Sequence, residues 1–232
     1  MDKLNPIIDG LPDEAFQAIA EVSKNIGIIP RIIFVGGGCD GMSTVRYLEM
    51  FPDAVVYFFE PEQQNYELAE LELRPYGNRV KMFPVALTSQ CGEVSLNINS
   101  HFATHSIFEI GKVELWDEFV FKEYSKVVQT LTIDSILQNE KIDQIDILHL
   151  DTQGAELLGL IGATSALIQN KIKILRIEVE FEKIYKDQPL FWEIGLFLSS
   201  YNYRFIKNVD LKFRKSNIPR LVWADSIFLS NE

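Results

Sequence analysis

A strand, a glycine turn, a helix and a second strand tipped by an acid constrain this chain more than any other feature. Residues 31–35 are an apolar strand, and Gly36, Gly37, Gly38 and Gly41 follow it directly. Residues 55–59, Val-Val-Tyr-Phe-Phe, are a second apolar strand, closed by Glu60 and Pro61. Through Gly36, Gly38 and Gly41 the turn satisfies the pattern GxGxxG. In such a unit glycines let the backbone approach a ligand, a helix N-terminus offers free N–H groups, and the acid grips a ribose diol. Pro61 suits the first turn of the next helix, which leaves Glu60 at the carboxyl edge of its strand, where ligands of open α/β sheets bind. An acid there argues against a 2′-phosphate ligand.

From residue 30 onward strands and helices alternate. Strands are expected at 31–35, 54–59, 79–85, 93–98, 126–132, 144–150, 172–180, 203–208 and 221–229. Helices are expected at 43–50, 61–73, 134–139, 156–169 and 190–200. Alternation of this kind predicts an α/β fold with a doubly wound, mostly parallel sheet and helices on both faces. The last two strands are joined too tightly for a crossover and are expected to pair antiparallel. Residues 1–29 read as an N-terminal helical extension, with Phe16, Ile19, Ala20 and Val22 at helical spacing, and 30–232 as the main domain. Residues 99–126 show no clear period and read as an excursion over the site.

The bulk properties remove some classes of partner. A formal net charge of −11 argues against nucleic acid or an anionic membrane surface. Cys39 and Cys91 form no CxxC pair, and three histidines without ligand spacing make no metal site. With neither a signal peptide nor an apolar run long enough to cross a bilayer in view, a cytoplasmic location is expected. Homo-oligomerisation is left open.

Several polar residues fall at strand ends or in the excursion. Asp151 is expected at the tip of a central strand, in the same crevice as Gly36 and Glu60, and His149 two residues earlier on the same side. Glu156 opens the following helix as a cap or a site residue. His101 and His105 lie in the excursion, where histidine suits general-base work. Glu178 and Glu180 share one face of a central strand. They are expected to face the crevice as acceptor ligands, or to pair with Arg176 or Lys183.

These stretches resemble the FkbM family of S-adenosylmethionine-dependent methyltransferases over roughly residues 30–229. The resemblance rests on residues 34–38, 57–61 and 85–87. It rests further on 131–137, Leu-Thr-Ile-Asp-Ser-Ile-Leu, and above all on 145–157, Ile-Asp-Ile-Leu-His-Leu-Asp-Thr-Gln-Gly-Ala-Glu-Leu. It implies a class I methyltransferase fold and O-methylation of a hydroxylated small molecule, commonly a saccharide, with S-adenosyl-L-methionine as cofactor. The turn of Gly36, Gly37, Gly38 and Gly41 would support the amino-acid part of the cofactor and Glu60 its ribose. Pro61 and Ala86 would flank its nucleoside. Asp151, His105 or His149 would take the acceptor's proton, and His101, Glu178 and Glu180 would bind the acceptor. Phe102, Phe108 and Trp116 would form apolar walls. Where the family usually has an acid at the end of its first strand this chain has Phe34, with Asp40 nearby. Two rival readings are an NAD-dependent oxidoreductase, served equally well by the glycine fingerprint and Glu60, and a non-catalytic interaction module on the same fold.

Overall fold

In the computed structural model, residues 13–111, 113–115, 118–214 and 218–231 are described. Helix α1 spans Asp13–Asn25. Strand β1 (Ile32–Gly36), helix α2 (Met42–Met50), strand β2 (Val55–Phe59), helix α3 (Gln63–Leu73) and strand β3 (Val80–Phe83) follow in right-handed alternation. Strand β9 (Ile145–Leu150), helices α5 (Glu156–Ile161) and α6 (Thr164–Ile168), strand β10 (Ile172–Glu180) and helix α7 (Phe191–Ser200) continue on the other side. Strands β11 (Tyr203–Arg214) and β12 (Arg220–Ser230) close the chain.

Seven of these strands form one sheet in the order β11-β12-β10-β9-β1-β2-β3. Five are parallel, and β12 runs antiparallel between β10 and β11. This is the expected doubly wound sheet of class I methyltransferase type with antiparallel closing strands. Chain order reverses between β1 and β9, so the carboxyl ends of these two strands bound the crevice where such sheets bind ligands. The sheet is apolar on both faces. One face packs Leu148, Leu150 and Leu175 beneath α4 (Ile133–Glu140), α5, α6 and α7; the other packs Ile33, Val35 and Ile147 beneath α1, α2 and α3. Phe34 is fully buried and stacks on Tyr57, so this position of β1 belongs to the core.

Helix α1 lies on the sheet, its Phe16 over the Arg176 guanidinium and its Ala15 N–H bound to Asp210; residues 1–12 lie outside the described residues. Two expectations need correction. The single helix at 156–169 is two, broken where Gly162 passes so close to Thr88 that a Cβ would come within 2.2 Å of its carbonyl oxygen. The excursion carries regular structure. It holds a 3-10 turn at Phe102–Thr104, an antiparallel pair of β6 (Val113–Leu115) and β7 (Glu118–Val120), and the start of β8 (Lys122–Leu131), which joins β4 (Ala86–Leu87) and β5 (Gly92–Asn99) in a three-stranded sheet. The first half of β8 is exposed on both faces, which erased the alternation that would have marked it in the sequence.

The sequence motifs owe much of their pattern to caps. Thr132 caps α4 through the Ser135 N–H, and Asp134 caps α6 through the Ser165 and Ala166 N–H groups. Asp146 receives the N–H groups of Arg31 and Ile32, tying β9 to the start of β1.

Candidate functional site

A partly open cleft of about 670 Å³, its mouth included, lies over the carboxyl ends of β1, β2 and β9. Gly37, Cys39, Glu60 and Pro61 form its floor. Val85, Ala86, Leu87, Leu96, Phe102 and Ile107 form an apolar wall, and Ser106, His105, Asp151, Thr152 and Gln153 a polar one. Among the described residues that line it there is no lysine and no arginine.

The glycine turn is built for close packing. Gly37 has φ of 73°, and a Cβ there would sit 1.8 Å from the Asp151 carbonyl oxygen, so this glycine lets the β1 and β9 loops touch. A Cβ on Gly38 would enter the Phe58 ring at 2.0 Å. The turn does not offer the free N–H groups that a phosphate cradle needs. Gly37 and Gly38 both donate to the Phe59 carbonyl, Cys39 to Glu60 Oε2 and Gly41 to the Gly38 carbonyl. Asp40 lies outside the cleft lining and accepts from the Met42 N–H.

Glu60 is 5% exposed. Its Oε2 accepts from the Cys39 N–H at 2.9 Å and its Oε1 from the Glu62 N–H at 2.8 Å, which fixes the carboxyl toward the cleft and leaves lone pairs for a ligand. Burial raises its pKa to about 7, against the pull of those two N–H groups. Burial and the nearby Glu60 also push the Cys39 thiol far up, so it is inert as a nucleophile.

The loop after β9 carries the other acids. Glu156 turns back to accept from the Thr152 N–H (2.6 Å), the Thr152 hydroxyl (3.0 Å) and the Gly154 N–H (3.2 Å), and thereby shapes the loop that holds Asp151. Gln153 Nε2 donates to Asp151 Oδ1 at 2.7 Å and to Glu178 Oε2 at 2.8 Å. Two full charges about 5 Å apart repel by roughly 3 kcal/mol at an effective dielectric near 20. Burial raises the pKa of Asp151, Glu156, Glu178 and Glu180, with the neighbouring acids adding to the rise in Glu178 and Glu180. Glu156 reaches about 7.

Of the residues singled out in the sequence, the cleft lining gathers Gly37, Glu60, Pro61, Ala86, His105 and Asp151. Gly36, Gly38 and Gly41 lie beneath it as packing positions. His149 is on the expected side of β9 but one rung too deep. It is sealed edge-on against Tyr47 of α2, and burial and the Arg176 charge keep it neutral. A role as base for the acceptor is therefore corrected. His105 does line the cleft, yet its Nδ1 accepts the Asn99 N–H at 3.1 Å, and burial lowers its pKa. The neutral ring then carries its proton on Nε2 and offers a donor, which corrects the expected base. His101 caps the 3-10 turn through its own Nδ1 and does not line the cleft. Glu178 and Glu180 stand behind the lining instead of facing an acceptor. Arg176 pairs with Asp225 and not with either of them. Phe102 is in the wall, Phe108 packs with Tyr185 below it, and Trp116 lies outside the described residues.

Three functional neighbours escaped the sequence reading. Gln153, with φ of 56°, sat unremarked inside the 145–157 stretch. Ser106, whose hydroxyl donates to the Gln153 carbonyl at 2.7 Å, was read only as part of the excursion. Tyr185 lies in an irregular segment with no pattern to mark it. Its hydroxyl lies 2.8 Å from Gln153 Oε1 and 3.0 Å from the Thr104 carbonyl, which ties the loop at 102–106 to the site.

Comparison with known proteins agrees with this architecture. The family model described as the methyltransferase FkbM domain matches residues 36–205. The chain is 22% identical over 167 residues to the 2-O-methyltransferase NoeI of Sinorhizobium fredii, covering 68% of each. It resembles the crystal structure of methyltransferase FkbM from Methylobacillus flagellatus, with a TM-score of 0.56 at 15% identity. That match covers 86% of this chain and 43% of the other, so the chain spans less than half of that structure's length. A putative RNA methyltransferase from Pyrococcus horikoshii has a TM-score of 0.50 at 10% identity, with 95% and 86% covered. Among the described residues no helix is long and apolar enough to cross a membrane.

Proposed function

The chain belongs to the FkbM family of S-adenosylmethionine-dependent methyltransferases, and on that premise we propose that its cleft binds S-adenosyl-L-methionine and methylates a hydroxyl of a small molecule, a saccharide or glycosylated metabolite. One observation carries the choice of cofactor: the charged groups in the cleft lining are acids, and the glycine-turn amides are spent on the protein itself. A cation fits such a site, whereas the pyrophosphate of NAD would meet two carboxyls and no donor cradle. The name of the relative from Sinorhizobium fredii, a 2-O-methyltransferase, supports oxygen as the acceptor atom.

In this reading Glu60 accepts the ribose hydroxyls, which charge-assisted bonds favour once the carboxyl ionises. Ala86, Leu96 and Phe102 line the apolar wall suited to adenine, and Gly37 and Cys39 border the amino-acid end. When bound, the cofactor supplies a methyl group on a positively charged sulfur, an already activated leaving group. The protein's own work is then alignment, exclusion of water and removal of the acceptor's proton. Asp151 is the base, and His105 Nε2–H steadies the acceptor oxygen. The test is incubation with labelled S-adenosylmethionine and a panel of saccharides and glycosylated metabolites, followed by mass analysis. A product heavier by one methyl upholds the reading; label that appears only on nitrogen or carbon acceptors overturns it.

A further inference from the structure

Glu178 is half-buried behind Asp151, without a cation of its own among the described residues. Arg176, two residues earlier on the same face of β10, is taken up by Asp225 in a two-pronged pair at 3.1 and 2.9 Å. The other groups that face this spot are Asp225 on β12, Glu180 on the same strand, Glu156 on α5, Glu60 across the cleft and the Tyr185 phenol. None of these carries positive charge, and the Arg176 charge that reaches Asp151 is already matched by Asp225. The Gln153 amide is oriented by its own ties: Oε1 meets the Tyr185 hydroxyl, and the two hydrogens on Nε2 are given one each to Asp151 and Glu178. One amide nitrogen lies 2.7 Å from Asp151 and 2.8 Å from Glu178, which brings the two carboxyls within about 5 Å of each other. Two carboxyls so close, with no cation between them among the described residues, resist ionising together.

We infer that Asp151 and Glu178 work as one acid pair holding a single proton, with Asp151 the base that faces the acceptor and Glu178 a positioning residue behind it. The inference rests on the cleft being the methyl-transfer site proposed above. Glu178 carries the proton, which keeps the Asp151 carboxyl ionised and its free lone pairs turned to the cleft. When the acceptor hydroxyl gives up its proton, the pair holds two protons and is neutral. Loss of one to solvent through the cleft restores the starting state. Gln153 makes the arrangement rigid: it donates to both acids at once, Tyr185 against Oε1 stops the amide from turning round, and Ser106 holds the Gln153 main-chain carbonyl.

The proton is directly visible in the infrared. The difference spectrum between wild type and Glu178→Gln at neutral pH should contain the carbonyl stretch of a protonated carboxyl, lost in the variant. Asp151→Asn, which removes the negative charge beside that proton, should shift the same band. It also serves as the reading if Glu178→Gln does not fold. Absence of the band from the difference spectrum, or a band that Asp151→Asn leaves in place, overturns the pair. Calorimetric titration of wild type with S-adenosylhomocysteine separates the two claims. Saturable binding without the band removes the pair and keeps the cofactor site. The band without binding in folded protein removes Asp151 as the acceptor's base.

Discussion

Strands β9, β10 and β12 carry buried polar groups on two successive rungs, and the rungs treat charge differently. On the inner rung His149 lies beside Arg176. The histidine is neutral, and the guanidinium is closed off by Asp225 and the Phe16 ring at 4.5 Å. At the carboxyl edge, Asp151, Glu178 and Glu180 face one another with amides and a phenol between them and no cation to spare. Glu156 Oε2 and Glu180 Oε2 have no hydrogen-bond partner among the described residues. The inner rung meets its one charge with an opposite one, although both His149 ring nitrogens and Arg176 Nη1 also lack hydrogen-bond partners among the described residues. The edge holds acids in protonated or shared states at a cost in stability, as sites selected for chemistry do.

The largest effect expected from breaking this contrast is on the inner rung. Asp225→Ala leaves the buried Arg176 charge unmatched and should cost about 3–5 kcal/mol in chemical denaturation, whereas Arg176→Met with Asp225→Leu should recover most of the loss. A double variant as unstable as the single one would show that the pair does more than balance charge. Next comes the cleft floor. Glu60→Ala should weaken S-adenosylhomocysteine binding by about 1–3 kcal/mol, measured by calorimetry. Unchanged affinity removes Glu60 from the ribose role.

A third expectation concerns pH. Glu60 and Glu156 have folded pKa values of about 7, above the usual carboxyl range. Between the unfolded value and 7 the folded state holds more protons than the unfolded one, so stability falls as pH rises through that window. Thermal midpoints should decline from about pH 5 to pH 7, at up to about 1.4 kcal/mol per pH unit for each group. Glu60→Gln should flatten the slope. A midpoint that climbs over the same window would mean these acids are matched by cations after all. Glu180→Gln extends the idea with the opposite sign to the inner rung: it should raise the midpoint at pH 8 by a few degrees for about 1 kcal/mol, and change it little at pH 5. Gly41→Ala tests the packing role of the turn apart from its charges. With φ of 87° and only moderate crowding against Ala69, it should cost about 1–2 kcal/mol of strain in a denaturation curve.

The same contrast explains what the sequence could disclose. The sheet was legible because five parallel strands covered on both faces give unbroken apolar runs, and Glu60, Ala86 and Asp151 were legible because they stand at or near the ends of such runs. Parity along a strand put His149 and Asp151 on one side correctly, but parity says nothing of depth, and α2 covers one and not the other. Glu178 and Glu180 were misread for the same reason. The spent amides of the glycine turn were hidden on a different ground. Whether an N–H is spent depends on Phe59 and Glu60 across the crevice, and spacing within the turn carries no record of that. Gln153 and Tyr185 acquire their importance only when the loop after β10 folds back over the site.

Titration of the protein with S-adenosylhomocysteine and, separately, with NAD in a calorimeter tests the central claim most directly. The acid-lined, cation-poor cleft predicts one-to-one saturation by S-adenosylhomocysteine and no measurable heat from NAD; saturation by NAD with none by S-adenosylhomocysteine would contradict it.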